Sequence, residues 1–219
     1  MTKFGSLLFA VGLLWIGSVQ AAADWSLARD RDGIKVWTRP VPGFPVHEFK
    51  AVTRIQSSLN GLVALVMDTD NAAKWIYRTE KIELLKRDDS QGYFLIRVVT
   101  NFPWPLTDRD AMIEGRITQD EKSGVVTIQS HALPLAKYPA TEGLVRMTQM
   151  TGIWYFKPVG AGQVEVTMMG LADPAGALPS SAVNLLIHET PYRTLQGMRA
   201  TVGAAVYQQT RAPQIKEVE

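Results

Sequence analysis

Apolar positions along the chain follow two kinds of pattern. Short stretches rich in β-branched and aromatic residues, each closed by turn residues, recur at Ile34–Arg39, Val46–Ile55, Ile76–Leu85, Tyr93–Thr100, Arg109–Gln119, Val125–Ala132, Leu144–Lys157 and Val164–Leu171. Eight such segments in succession, with no long helix between them, predict an antiparallel sheet. Glu121–Gly124 and Gly160–Gly162 read as hairpin turns between neighbours. The second turn has the glycines of a phosphate-binding loop but neither its lysine nor the helix that follows it.

Two segments have a helical period instead. Between Leu59 and Ile76, Leu62, Val63, Val66 and Met67 share one face, and a turn at Asp68–Asp70 leads into a second short helix carrying Trp75. From Pro179 to Gln209, Val183, Ile187, Thr190, Thr194, Met198, Val202 and Ala205 recur at spacings of three or four. Pro179–Ser180–Ser181 supplies the N-cap, and a helix of about 30 residues would reach roughly 45 Å. Pro191 lacks a backbone donor and predicts a kink or local break near His188–Pro191. The fold class is therefore α+β, a curved antiparallel sheet wrapped around a long C-terminal helix. A sheet curled around a cylinder need not touch it everywhere, so an internal hydrophobic tunnel can lie between them.

The first residues belong to neither pattern. Lys3 precedes an uncharged apolar run of thirteen residues, Phe4–Ile16, and Ala21–Ala22–Ala23 stands before Asp24. This is the layout of a secretory signal peptide over 1–23, cleaved after Ala23, and it implies a periplasmic or secreted protein. A retained membrane anchor would need roughly 20 apolar residues, more than this run provides. No cysteine follows for lipid attachment.

The mature part would be 196 residues with 22 basic against 21 acidic side chains. No Lys/Arg run exceeds two residues, so nucleic acid is not an expected partner. With no cysteine, an exported chain must be held by its core alone, which a domain of this size can manage. We read one domain over 24–211 and a polar C-terminal tail over 212–219, acting as a monomer.

Three stretches carry a resemblance to a known family. Asn101–Asp110 (NFPWPLTDRD) resembles the WP-x-x-x-R-D segment of the START (steroidogenic acute regulatory protein-related lipid transfer) family through Trp104, Pro105, Arg109 and Asp110. Asp173–Ser180 with Asn184 resembles the segment that opens that family's C-terminal helix, and Asp32–Trp37 with Trp75 resembles its first strand and following helix. Together they span Trp25 to about Thr210. The resemblance implies a helix-grip fold holding one hydrophobic molecule, a phospholipid, fatty acid or sterol-like lipid, exchanged by transient contact with a membrane surface. It implies that Arg109 meets a lipid phosphate, and that Leu133–Glu142, with Leu135 and Tyr138, forms a lid. Some sterol-handling members place an acid on the preceding strand to pair with this arginine. Val98 stands there in this chain.

Alternation along the strand puts Arg109 on the apolar face with Ala111, Ile113 and Ile117, and sends Asp110, Met112, Glu114 and Arg116 outward. A guanidinium facing inward must meet something anionic or polar: a ligand phosphate or carboxylate, an unidentified carboxylate, or water. The other reading pairs it with Asp108 at the sheet rim. Ile96, Val98, Ile113, Met150, Ile187, Thr194 and Met198 are the further candidate ligand-binding residues. Burying a sixteen-carbon chain is worth on the order of 12 kcal/mol, so a carrier of such chains must unload at a surface.

No catalytic or metal site is expected, and no cofactor. His47, His131 and His188 lie on separate elements without ligand spacing, and Ser130–His131 point to opposite faces of a strand. The alternative function is an enzyme of the same fold acting on a bound polyketide or ester. It would need His131 or Gln129 to face a tyrosine or carboxylate inside the tunnel.

Overall fold

The computed structural model describes residues 24–134, 137–139, 141–176, 178 and 180–218, and all their side chains except those of 180–182, 184 and 185. Ten strands form one sheet: β1 (Ser26–Arg31), β2 (Ile34–Pro40), β3 (His47–Gln56), β4 (Thr79–Asp88), β5 (Tyr93–Thr100), β6 (Arg109–Gln119), β7 (Val126–Ala132), β8 (Val145–Arg146), β9 (Met150–Pro158) and β10 (Gln163–Ala172). The order is β1-β2-β3-β10-β9-β7-β6-β5-β4, antiparallel throughout, while the two-residue β8 adds to β6 in parallel. The helices are α1 (Leu59–Met67), α2 (Ser180–Thr201) and α3 (Ala205–Gln208).

Strands β3 and β4 are six steps apart in this order, which is about 29 Å in a flat sheet at roughly 4.8 Å per step. Side chains of both nevertheless line a single cavity against α2. The sheet therefore curls around the helix, and this is the helix-grip arrangement.

Four boundaries differ from those expected. β1 was missed because an edge strand with little buried surface leaves no alternation to read. The third expected strand starts late, at Thr79, after Arg78 turns the chain with φ +61°. Leu144–Lys157 is not one strand: β8 holds Arg146 against Asp110, and Met147–Gln149 turns the chain before β9. The C-terminal helix is 22 residues long, about 33 Å, and ends before Gly203. It runs through Pro191 without the expected break.

Leu195 and Met198 of α2, with Val202 just after it, pack with Ile34 and Val36 of β2, Ala51 and Ile55 of β3 and Leu59, Leu62 and Val63 of α1. Gly197 sits where a Cβ would lie 2.2 Å from the Trp75 carbonyl oxygen, so a side chain there is incompatible with the close approach of α2. The Thr194 hydroxyl accepts a hydrogen bond from the Tyr77 N–H in the same contact, at 3.3 Å.

The polar stretch 212–219 does not hang free of the domain. Its described part folds back, buries Ile215 and presents the Glu217 carboxylate to the open end of α1. There it accepts from the backbone N–H groups of Leu59 (3.0 Å) and Asn60 (2.8 Å) and from the Asn60 side chain (2.7 Å). These donors have no partner within the helix, and a negative charge at a helix N-terminus is favourable. Ser58 caps the same turn through the Gly61 N–H.

Candidate functional site

A partly open cavity of about 300 Å³ lies between the sheet and the first half of α2. Strand alternation builds its wall: Phe94, Ile96, Val98 and Thr100 are every second residue of β5, and Ile128 and Ser130 every second residue of β7. Val183, Leu186, Ile187, Thr190 and Thr194 supply the helix side. Trp75 and Trp154 meet edge to face, with ring centroids 6.3 Å apart, and both lie in the wall. A second hollow, lined by Pro45, Val46, His47, Asp173, Gly176 and Leu178 among others, shares Val46, His47, Pro174, Val183 and Ile187 with the first. The opening is thus framed by the loop before β3, the loop after β10 and the start of α2.

Of the candidate ligand-binding residues, Ile96, Val98, Ile113, Met150, Ile187 and Thr194 line this cavity. Met198 does not. It is fully buried one turn beyond Thr194, where the helix already touches the sheet. Arg109 also does not line it, although it is 3% exposed. Its guanidinium donates to the carbonyls of Pro174 (Nε, 3.2 Å), Thr107 (Nη1) and Ala175 (Nη2, 3.5 Å), and stacks 4.1 Å from the Phe102 ring centroid. Phe102 and Pro174 themselves face the cavity, so the arginine sits behind them.

Burial draws the Arg109 pKa below the ordinary arginine value, with the charge of Asp108 partly opposing. Asp108 is not its hydrogen-bond partner, because that carboxylate accepts from the Phe102 N–H at 2.7 Å and closes the 101–108 loop. Both readings of Arg109, ligand anion or Asp108 pair, gave way to main-chain carbonyls. No side-chain pattern marks such acceptors in a sequence.

Asp110 was expected outward, in solvent. It does lie on the outer face but is completely buried, because Thr141 and Arg146 cover it. Arg146 grips it bidentately (2.7 and 2.8 Å), Thr141 donates at 2.9 Å and Arg97 at 3.1 Å, and Glu83 holds Arg97 in turn. Burial alone would raise the Asp110 pKa, but these donors outweigh it and hold the carboxyl below its usual range. Arg146 also binds the carbonyls of Tyr138 (2.6 Å) and Pro139 (3.0 Å). Tyr138 packs with Leu95, Met112 and Leu133 on this outer face, away from the cavity, which corrects its placement as a lid residue. Leu135 lies outside the described residues.

His131 and Gln129 also point away from the cavity, and His131 Nε2 lies 3.2 Å from Glu114. His188 has a buried Nδ1 without a partner, and burial pushes its pKa down, with Arg29 and His47 adding to the effect. Among the described residues no group of three or more acidic, histidine or cysteine side chains could hold a metal.

Residues 19–207 match the family described as START domain. An uncharacterized protein of Pseudomonas aeruginosa is 30% identical over 194 residues, covering 88% of this chain and 94% of that one. The rat phosphatidylcholine transfer protein is 25% identical, over 74% of this chain and 76% of its own. A crystal structure of a STAR-related lipid transfer protein fragment from Xanthomonas axonopodis superposes with a TM-score of 0.75 and 31% identity, over 82% of this chain and 99% of that fragment. By the extent of these matches, and by the sheet and helix that enclose the cavity, the chain belongs to the START domain family.

Proposed function

We propose that this chain is a non-enzymatic carrier that holds one hydrophobic molecule in the cavity and exchanges it at membrane surfaces. The observation that carries the reading is a deep, partly open cavity walled by Ile96, Val98, Ile113, Met150, Trp154 and Ile187, side chains that leave apolar surface unburied unless a guest covers it. The printed name of the rat relative, a phosphatidylcholine transfer protein, supports lipid as the class of guest. In this reading residues 1–23 direct export to the periplasm or beyond, and the monomer works there.

Exchange requires a part of the rim that touches lipid. Trp104 is 92% exposed, on the 101–108 loop whose Phe102 lines the cavity and whose neighbour Arg109 ties it to the loop after β10. An indole standing in water on a loop that also contributes to the cavity wall suits the membrane interface. We therefore assign membrane contact to this loop in place of Tyr138.

The test is native mass spectrometry of protein taken from its own source, with transfer of labelled lipid between vesicles by the wild type and Trp104→Ala. A bound lipid mass, and transfer slowed several-fold by the substitution, are expected. Protein that carries no guest and moves no lipid overturns the carrier reading. The enzyme reading loses its candidate couple, since His131 and Gln129 both lie outside the cavity.

A further inference from the structure

Among the described residues the cavity wall contains no ionised side chain, and Asp173 borders only the adjoining hollow at the opening. Among the wall's described lining residues there is no Asp, Glu, Lys or Arg, and the only titratable ones are His47, at the opening, and Tyr77. Arg109, behind the wall, is turned to the carbonyls of Thr107, Pro174 and Ala175 and is screened from the cavity by Phe102. Val98 occupies a wall position on β5 directly opposite Ala111 of β6, so this strand pair offers no acid to the interior either.

A charge carried into such a space loses its hydration and gains no counter-ion, at a cost of several kcal/mol. Hydroxyl groups fare differently, because the wall offers them partners. Thr69, Tyr77, Thr79, Thr100 and Thr190, each with a hydroxyl, are among the lining residues, while the hydroxyls of Ser130 and Thr194 are engaged with Gly152 and Tyr77 backbone groups. The volume, about 300 Å³, lies at the small end of the usual range for sites that take one small molecule, about 300–1,000 Å³.

We infer that the guest is electrically neutral in the part it buries: an uncharged lipid whose polar portion is a hydroxyl, ester or ketone, and not a fatty-acid carboxylate or a phospholipid headgroup. The inference rests on the carrier reading and narrows its ligand. It also gives Arg109 a structural task, fastening the loop after β10 across the rim.

The full chain is titrated with four ligands of one chain length, hexadecanol, methyl hexadecanoate, hexadecanoate and hexadecyl phosphate, following the fluorescence of Trp75 and Trp154 in the wall. At pH 8 the two neutral ligands should bind at least about 100-fold more tightly than the two anions. Hexadecanoate should gain affinity as the pH falls and its carboxylate takes up a proton. Val98→Arg, which places a cation in the wall, should raise hexadecanoate affinity at pH 8 by at least about tenfold. Hexadecanoate or hexadecyl phosphate binding the wild type within about threefold of the neutral ligands overturns the inference while leaving the carrier reading intact. Binding of none of the four, with no lipid moved between vesicles, overturns both.

Discussion

The two halves of α2 face the same sheet with opposite results. From Tyr192 to Met198 the helix closes on its neighbours, and Leu195 and Met198 have no exposed surface. From Val183 to Thr190 the same apolar periodicity meets empty space. Side-chain chemistry does not separate the halves. What differs is how closely the helix approaches its surroundings: Gly197 admits the Trp75 backbone to contact in the second half, whereas Val183, Leu186, Ile187 and Thr190 of the first half line the cavity. Stability is thus concentrated at one end of the helix and capacity for a guest at the other.

Truncation should separate the halves most sharply. Leu195→Ala removes a fully buried side chain and should destabilise by about 2–5 kcal/mol, whereas Ile187→Ala, on the cavity wall, should cost under about 1 kcal/mol and weaken ligand binding instead. Urea unfolding of both variants measures the contrast, and equal losses would erase it. Gly197→Ala attacks the contact that closes the second half. Alanine suits a helix better than glycine by about 1 kcal/mol, yet here the added carbon meets the Trp75 carbonyl, and a net loss of about 1–3 kcal/mol is expected in thermal melts.

Filling the hollow half should do little to stability. Val98→Phe should shift unfolding by no more than about 1 kcal/mol while lowering ligand uptake severalfold, read by tryptophan fluorescence. The smallest effect concerns pH. His188 is held below its ordinary pKa of 6.5, so the folded state binds fewer protons than the unfolded one as the pH falls past that value. Its contribution is intact above pH 6.5 and is lost below it. The melting temperature should fall between pH 7 and pH 5, and fall less in His188→Asn.

Alternation and helical spacing were enough to find the sheet, α1 and the wall residues Ile96, Val98, Ile113 and Ile187, because these lie where one face of an element is apolar. They failed where tertiary contact decides. Met198 has the same spacing as Thr194, and only the approach of the helix to the sheet distinguishes core from cavity. Asp110 reads as a solvent residue by alternation, but the segment that covers it comes from 31 to 36 residues away. Arg109 reads as a residue in search of an anion, and its partners are carbonyls 65 and 66 residues along the chain.

The Glu217 cap carries a consequence for assembly. The first helix is finished by a carboxylate 158 residues further along the chain, so α1 lacks its full N-terminal turn until the segment around residue 217 has folded back onto it. Contacts of such separation form late, after the entropy of closing the intervening loop has been met. The cap works as a latch across the fold: a chain cut short of residue 217 would present an α1 with two open amide groups.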